Sequence, residues 1–206
     1  MSEPDRPQLY LVTPPAFDPD AFAGRLAAVL DAVPVACLRL AMASHDADSV
    51  ARAADRLRPL AHDRDIPIVI ARHRQLVQPL GLDGVHLEDG QRRVRETRKA
   101  LGADAIIGAF CGTSRHDGLG AAEAGADYVA FGPAGATPLG DGTVAAHELF
   151  AWWSEIIEIP VVAEGALTVA LVETLAPVTD FLAVGEEIWN AENPVSALRA
   201  LLAPLG

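Results

Sequence analysis

Short apolar runs alternate with longer amphipathic stretches along this chain. The runs are rich in Val, Ile and Leu and are bounded by Gly, Pro or Asp, a pattern typical of buried strands. Between the runs, apolar residues recur at helical spacing, as Val50, Ala54 and Leu57 do. This alternation predicts repeated βα units and a parallel sheet.

An internal repeat points the same way. Four runs follow an Asp, at positions 83, 104, 127 and 180, so the steps are 21, 23 and 53 residues, the last about two units long. Helices are expected at residues 18–31, 46–61 and 143–157, with a short one ending near Pro79 and a last one starting at Asn193. In all we predict eight strands, at residues 7–13, 35–40, 66–70, 84–87, 105–109, 129–131, 161–163 and 178–184.

Eight parallel strands in a chain of 206 residues with no linker close most naturally into a barrel. We therefore predict an α/β protein with a single (β/α)8 barrel, the TIM-barrel architecture, as one domain spanning residues 1–206. A doubly wound open sheet is the alternative. Either fold binds ligands where its strands end, so a site is expected at the carboxyl edge of the sheet.

The amino-acid composition disfavours some classes of binding partner. The formal net charge of −12 disfavours nucleic acids and anionic membranes, because both are bound through excess Lys and Arg. The sequence shows no apolar leader and no apolar run of membrane-spanning length, and its two cysteines, Cys37 and Cys111, lie in or at the ends of predicted strands. We expect a cytoplasmic protein with free thiols and a small-molecule ligand. The oligomeric state stays open, a homodimer included.

Six segments carry a resemblance to a known family. They are Leu9–Thr13, Leu38–Arg39, Gly84–Leu87, Gly125–Pro133, Ile159–Ala163 and Asn193–Pro194. In this order they resemble the thiamine phosphate synthase family, which includes thiazole tautomerases. The resemblance implies a (β/α)8 barrel. The synthases of this family join an aminopyrimidine diphosphate to a thiazole phosphate. It also implies Mg2+ and cationic side chains on the departing pyrophosphate, since concentrated positive charge stabilises that leaving group.

The chain departs from the charged positions that the resemblance implies. Arg72 stands where the family has a metal-binding Asp, and Gln91 stands at the second metal carboxylate. Ala41 and Gly140 replace the two lysines of the synthase pattern. Mg2+ is the cofactor that the family implies, but both matching carboxylates are absent, so we predict no metal ligands. We also predict no Mg2+-dependent condensation, because losing even one preorganised group costs ~10²–10³ in rate.

Three residues are our candidates for catalysis. Arg39 is retained from the family's second strand, and it either clamps a ligand anion or pairs with a neighbouring carboxylate. His86 alternates with apolar neighbours in a strand, so it is either a core histidine or an acid–base group. Asp89 follows the same strand, two positions ahead of the missing metal carboxylate.

Five residues at strand ends are our candidates for ligand binding. Thr137 lies in the glycine-rich loop after the sixth strand, Gly165 and Ala166 follow the seventh, and Gly185 and Glu186 follow the eighth. Backbone N–H groups at this edge of a barrel commonly hold phosphate. Carboxylates repel it, so Glu186 and the other glutamates that end these strands predict weak phosphate binding or a site for a cation. Alternatively, they face solvent or cap helices.

The expected function is that of a thiamine phosphate synthase-like barrel with lost or altered transferase activity. Its site at the carboxyl edge would take a small phosphorylated or heterocyclic ligand. The alternative is a non-catalytic binding or regulatory barrel. The altered enzyme is favoured over the binding-only barrel if the following residues line one cavity: Arg39, His86, Asp89, Thr137, Glu164 and Glu186.

Overall fold

Eight parallel strands form a closed barrel in the computed structural model, which describes residues 6–206. Each strand pairs with the next along the chain, and the last closes on the first with Leu9 opposite Leu182. The predicted (β/α)8 barrel is confirmed and the open-sheet alternative is wrong. Residues 1–5 of the predicted domain lie outside the described part. The strands are β1 Gln8–Val12, β2 Cys37–Leu40, β3 Ile68–Ala71, β4 Gly84–Leu87, β5 Ile106–Phe110, β6 Tyr128–Phe131, β7 Val161–Glu164 and β8 Phe181–Val184.

Helices follow the strands and surround the barrel. Five of them begin after a residue whose side chain accepts a backbone N–H of the first turn, namely Asp18, Asp46, Ser114, Thr168 and Asn193. Within residues 6–206, no helix has the length and apolar character needed to cross a lipid bilayer. The helices are α1 Pro19–Ala32, α2 Ala47–His62, α3 Val94–Leu101, α4 Arg115–Glu123, α5 His147–Ile156, α6 Val169–Leu175, α7 Glu186–Trp189 and α8 Pro194–Leu201.

Two predicted helices differ from the observed ones. The segment after β3 forms only a 3-10 turn at Arg74–Leu76, because so short a segment ending in a proline cannot offset the cost of starting an α-helix. Helix α5 begins at His147 rather than at residue 143. The residues before it are held to the end of β6 instead, where the Ala145 N–H donates to the Pro133 carbonyl at 2.8 Å.

The strand residues alternate between two apolar layers. Leu38 and Val85 pack with the helices in the outer core, whereas Val69 and Tyr128 fill the interior of the barrel. Because both faces are buried, the strands appear in the sequence as nearly continuous apolar runs. The two cysteines are buried and form no disulfide.

The repeated Asp residues act at the amino edge of the barrel. Asp83, Asp127 and Asp180 each precede an even-numbered strand and accept a backbone N–H of the strand before it, at 2.7, 2.7 and 2.8 Å. Asp104 precedes an odd-numbered strand, is exposed, and makes no such bond to the described residues. The repeat therefore fixes strand register at the edge opposite to the expected site.

Candidate functional site

An open cavity of about 650 Å³ lies at the carboxyl edge of the barrel. Every strand contributes to its wall through its last residues or the loop that follows. The volume is in the range of small-molecule sites. Seven of the eight predicted site residues line this cavity: Arg39, His86, Thr137, Gly165, Ala166, Gly185 and Glu186.

Asp89 is the predicted site residue that the structure places elsewhere. It precedes a 3-10 turn at Gly90–Arg93, and its carboxylate pairs with Nε of Arg93 at 3.0 Å. Asp89 does not line the cavity. A catalytic role for it stays a prediction, without a position in the cavity to support it.

A buried ion pair between two residues of the cavity wall spans the interior of the barrel. Arg39, at the end of β2, donates through Nη2 to Oε2 of Glu164, at the end of β7. Only 8% of Arg39 and 3% of Glu164 are exposed, and the guanidinium lies 5.4 Å from the ring centre of Tyr10. Nε of Arg39 is buried and has no hydrogen-bond partner among residues 6–206. Arg39 is thus paired with a carboxylate of its own protein, which is one of the two alternatives that the sequence left open for this residue.

His86 begins a chain of hydrogen bonds that runs down into the barrel. Its Nδ1 lies 3.0 Å from the hydroxyl of Tyr128, which lies 2.6 Å from the hydroxyl of Tyr10. Gly108 leaves room for this chain, because a Cβ at that position would overlap the Tyr128 ring. Burial, and then the nearby Arg39 guanidinium, hold the pKa of His86 well below its usual value of 6.5. The imidazole is therefore neutral and lines the cavity as a hydrogen-bonding group rather than a charge.

The ends of β7 and β8 are tied together by an acidic side chain. Glu187 accepts the Gly185 N–H through Oε2 at 2.7 Å and the Leu167 N–H through Oε1 at 3.1 Å. Gly165 and Ala166 both adopt left-handed backbone conformations in the same loop, with φ of 94° and 51°. Two backbone donors of the expected phosphate edge are therefore already occupied by a carboxylate.

The sequence-based prediction did not select Arg72 and Glu88, which form an ion pair at the rim of the cavity. Arg72 directly follows β3 and Glu88 directly follows β4, so both side chains extend from the carboxyl edge. Arg72 has a left-handed backbone with φ of 67°, which is uncommon for a residue other than glycine. Its place immediately after a strand was the available signal, since that is where barrels carry functional residues.

The cavity residues do not fit a magnesium site. Mg2+ requires carboxylate or other oxygen ligands in near-octahedral geometry. Glu88 and Glu164 are neutralised by arginines, and Glu187 is engaged by backbone donors. Glu186 is exposed and makes no hydrogen bond or ion pair with the described residues. Within residues 6–206, no three His, Cys, Asp or Glu side chains converge on a point where a metal could bind.

Comparison with known proteins relates the sequence of this chain to the thiamine monophosphate synthase family. Residues 9–188 match the family model described as thiamine monophosphate synthase. The chain is 44% identical over 187 residues to the thiamine-phosphate synthase of Rhodospirillum centenum, with 89% of each chain covered. It is 37% identical over 206 residues to the thiamine-phosphate synthase of Hyphomonas neptunium, covering 96% of this chain and 93% of that one.

A solved structure supports the fold. Thiamine phosphate pyrophosphorylase from Pyrococcus furiosus superposes with a TM-score of 0.82, covering 96% of this chain and 95% of its own. The sequences of the two proteins are 21% identical. At that identity, the superposition bears on the architecture of the barrel alone.

Proposed function

Because the chain belongs to the thiamine monophosphate synthase family, we propose that its cavity binds a small heterocyclic ligand without Mg2+-dependent departure of pyrophosphate. The transferase activity of the family is lost or altered in this protein. One observation carries the proposal. Each arginine that lines the cavity is paired with a carboxylate of the same cavity, Arg39 with Glu164 and Arg72 with Glu88.

The charge of the cavity supports this choice of ligand. Two arginines and four glutamates line it, which leaves a net charge of −2 while His86 is neutral. A departing pyrophosphate needs concentrated positive charge, and one missing group costs ~3 kcal/mol of barrier. An aromatic heterocycle has no such need. It can pack against Phe110 and Leu139 in the wall and hydrogen-bond to His86.

Retained synthase activity is the second candidate. It is favoured by the 44% identity to a protein of Rhodospirillum centenum named thiamine-phosphate synthase. A protein without any turnover would instead be the non-catalytic binding or regulatory barrel. These candidate functions differ in whether the purified protein condenses the family's two substrates.

The first experiment measures condensation of the aminopyrimidine diphosphate with the thiazole phosphate, with and without Mg2+. We expect no Mg2+-dependent product. Turnover near the ~10 s⁻¹ of an ordinary enzyme would reject the proposal and support the second candidate.

The second experiment measures binding of the unphosphorylated aminopyrimidine and thiazole alcohols by calorimetry. The variant Ala41→Trp places a large ring in the cavity wall at the end of β2 and should abolish binding. Ala103→Trp is the matched control, because Ala103 is exposed and lies outside the cavity. Thermal unfolding checks that both variants fold. Equal binding by wild type and Ala41→Trp would show that the ligand does not enter this cavity.

A further inference from the structure

A second pocket opens at the amino edge of the barrel, at the end opposite to the candidate site. Its volume is about 530 Å³, which is in the range of small-molecule sites. It lies between the start of β1, the loop that joins α1 to β2, and the 3-10 turn Ala203–Leu205 that follows α8. This amino-edge pocket shares no residue with the cavity at the carboxyl edge. A ligand in it would therefore be bound independently of the proposed function.

Apolar side chains form most of the amino-edge pocket. Leu9 and Leu182 stand opposite each other in the β1–β8 pair and form its floor on the outside of the barrel. Leu202 and Leu205 line it from the C-terminal segment, and Val35 lines it from the loop before β2. An apolar ligand that entered would release water from these side chains, which is the main driving force for binding in such a pocket.

Two exposed arginines, Arg6 and Arg199, also line the amino-edge pocket, and no Asp or Glu side chain of residues 6–206 does. Arg6 donates to an oxygen of Gly206 at 3.1 Å. Arg199, in the last turn of α8, makes no hydrogen bond or ion pair with the described part of the chain. In a chain with a formal net charge of −12, a pocket with arginines and no carboxylate side chain is a local exception. Arg199 is therefore the cation that an anionic ligand would meet.

We propose that the amino-edge pocket binds a free amphipathic anion, an aliphatic carboxylate of medium chain length. Its hydrocarbon chain lies on the leucines, and its carboxylate pairs with Arg199. Charge complementarity selects this occupant, because the planar guanidinium donates two parallel hydrogen bonds to a carboxylate and would repel a cation. A second copy of this chain is the competing occupant of an apolar pocket, and the experiment distinguishes the two.

The probe is decanoate, titrated into the isotope-labelled 206-residue chain and followed by NMR chemical shifts. We expect saturable shifts at Leu9, Leu182 and residues 199–206, and none at the carboxyl edge of the barrel. Octanoate is two methylenes shorter and should bind about tenfold more weakly, because each buried methylene contributes about fourfold. Decyltrimethylammonium carries a similar chain on a cationic group. It should bind more weakly than decanoate despite the negative charge of the protein, because Arg199 repels it.

Two variants, each with a matched control, test the two parts of the site. Arg199→Gln should weaken decanoate binding about threefold to fivefold, as expected for an exposed ion pair. Its control is Arg95→Gln, because Arg95 is also exposed on a helix and lies outside the pocket. Ala203→Trp places a large ring in the pocket wall and should abolish binding, whereas the exposed Ala103→Trp lies outside the pocket and should not. Thermal unfolding checks that the variants fold; if Ala203→Trp does not, the two arginine variants decide.

Four results would overturn the inference. The first is the absence of saturable shifts at the amino edge at millimolar decanoate, and the second is equal or tighter binding of decyltrimethylammonium. The third is a loss in Arg199→Gln no larger than in Arg95→Gln, or wild-type affinity in folded Ala203→Trp. The fourth is a wild-type dimer, seen by light scattering, that Ala203→Trp converts to a monomer, because a second copy would then occupy the pocket. None of these results bears on the proposed function, whose ligands are tested at the opposite edge of the barrel.

Discussion

Replacing Glu164 with Leu tests the most consequential contact in the barrel. The substitution keeps a side chain of similar volume but leaves the Arg39 guanidinium without its carboxylate, in a site where only 8% of the residue is exposed. Two unit charges in hydrogen-bonding contact attract by about 5 kcal/mol at an effective dielectric of ~20. Breaking a buried pair from one side typically costs ~3–5 kcal/mol of stability. For a chain of this length, that corresponds to a fall in Tm of about 10 °C.

The double variant Arg39→Met, Glu164→Leu should recover most of the loss. Desolvation of the two ions offsets much of their attraction, and Nε of Arg39 has no partner in the described chain to add to it. We expect the double variant to lie within ~1 kcal/mol of wild type, or above it, because apolar replacements of buried pairs are often neutral or stabilising.

Urea unfolding followed by circular dichroism measures the single variants Glu164→Leu and Arg39→Met and the double variant. Asp20→Ala is the control, since it breaks an exposed pair with Arg56 and should cost less than about 1 kcal/mol. The reasoning is refuted if Glu164→Leu costs under ~1 kcal/mol. It is refuted equally if the double variant loses the sum of the two single losses, because the two residues would then be uncoupled.

Three further outcomes are expected. The pKa of His86 is depressed in the folded state, so the unfolded chain binds the extra proton first, and stability should fall as pH drops below about 6.5, by up to ~1.4 kcal/mol per pH unit. Urea unfolding of His86→Gln at several pH values should lack this contribution; an unchanged slope would contradict it. Gly108→Ala should severely destabilise the barrel, because its Cβ would overlap a tyrosine ring, whereas Gly24→Ala, with open space in α1, should stabilise by ~0.5–1 kcal/mol. Thermal unfolding measures the Tm of the two variants, and equal changes in Tm would contradict the close packing of the tyrosine ring against Gly108. Asp180→Ala should cost about 1 kcal/mol by removing its 2.8 Å bond to β7, while Asp104→Ala should stay within ~0.5 kcal/mol in the same unfolding assay; similar losses would mean that the repeat does not set register.

The location of the cavity was predictable because it depends on strand order alone. Ligands bind at the carboxyl ends of parallel strands, so residues such as Arg39, Thr137 and Gly185 could be selected from their places after apolar runs. Asp89 satisfied the same rule but lies outside the cavity, because the turn that follows β4 directs its carboxylate to Arg93. Arg72 also directly follows a strand, yet a prediction guided by the family pattern treated it as a lost metal ligand rather than as a group in its own right.

The barrel follows from patterns that are local in the sequence. Nearly continuous apolar runs, helical stripes between them and a recurring Asp specify local elements, and eight such units in a short chain leave few ways to bury their surfaces. Which charged side chains pair with each other depends on how the chain folds. Arg39 and Glu164 are 125 residues apart in the sequence. No local pattern in the chain shows whether a guanidinium is available to a ligand or is paired with a carboxylate of the same protein. Closure of the barrel brings β2 and β7 within reach of each other, and burial then makes an unpaired charge too costly, so the fold rather than the local sequence sets the charge that remains for a ligand.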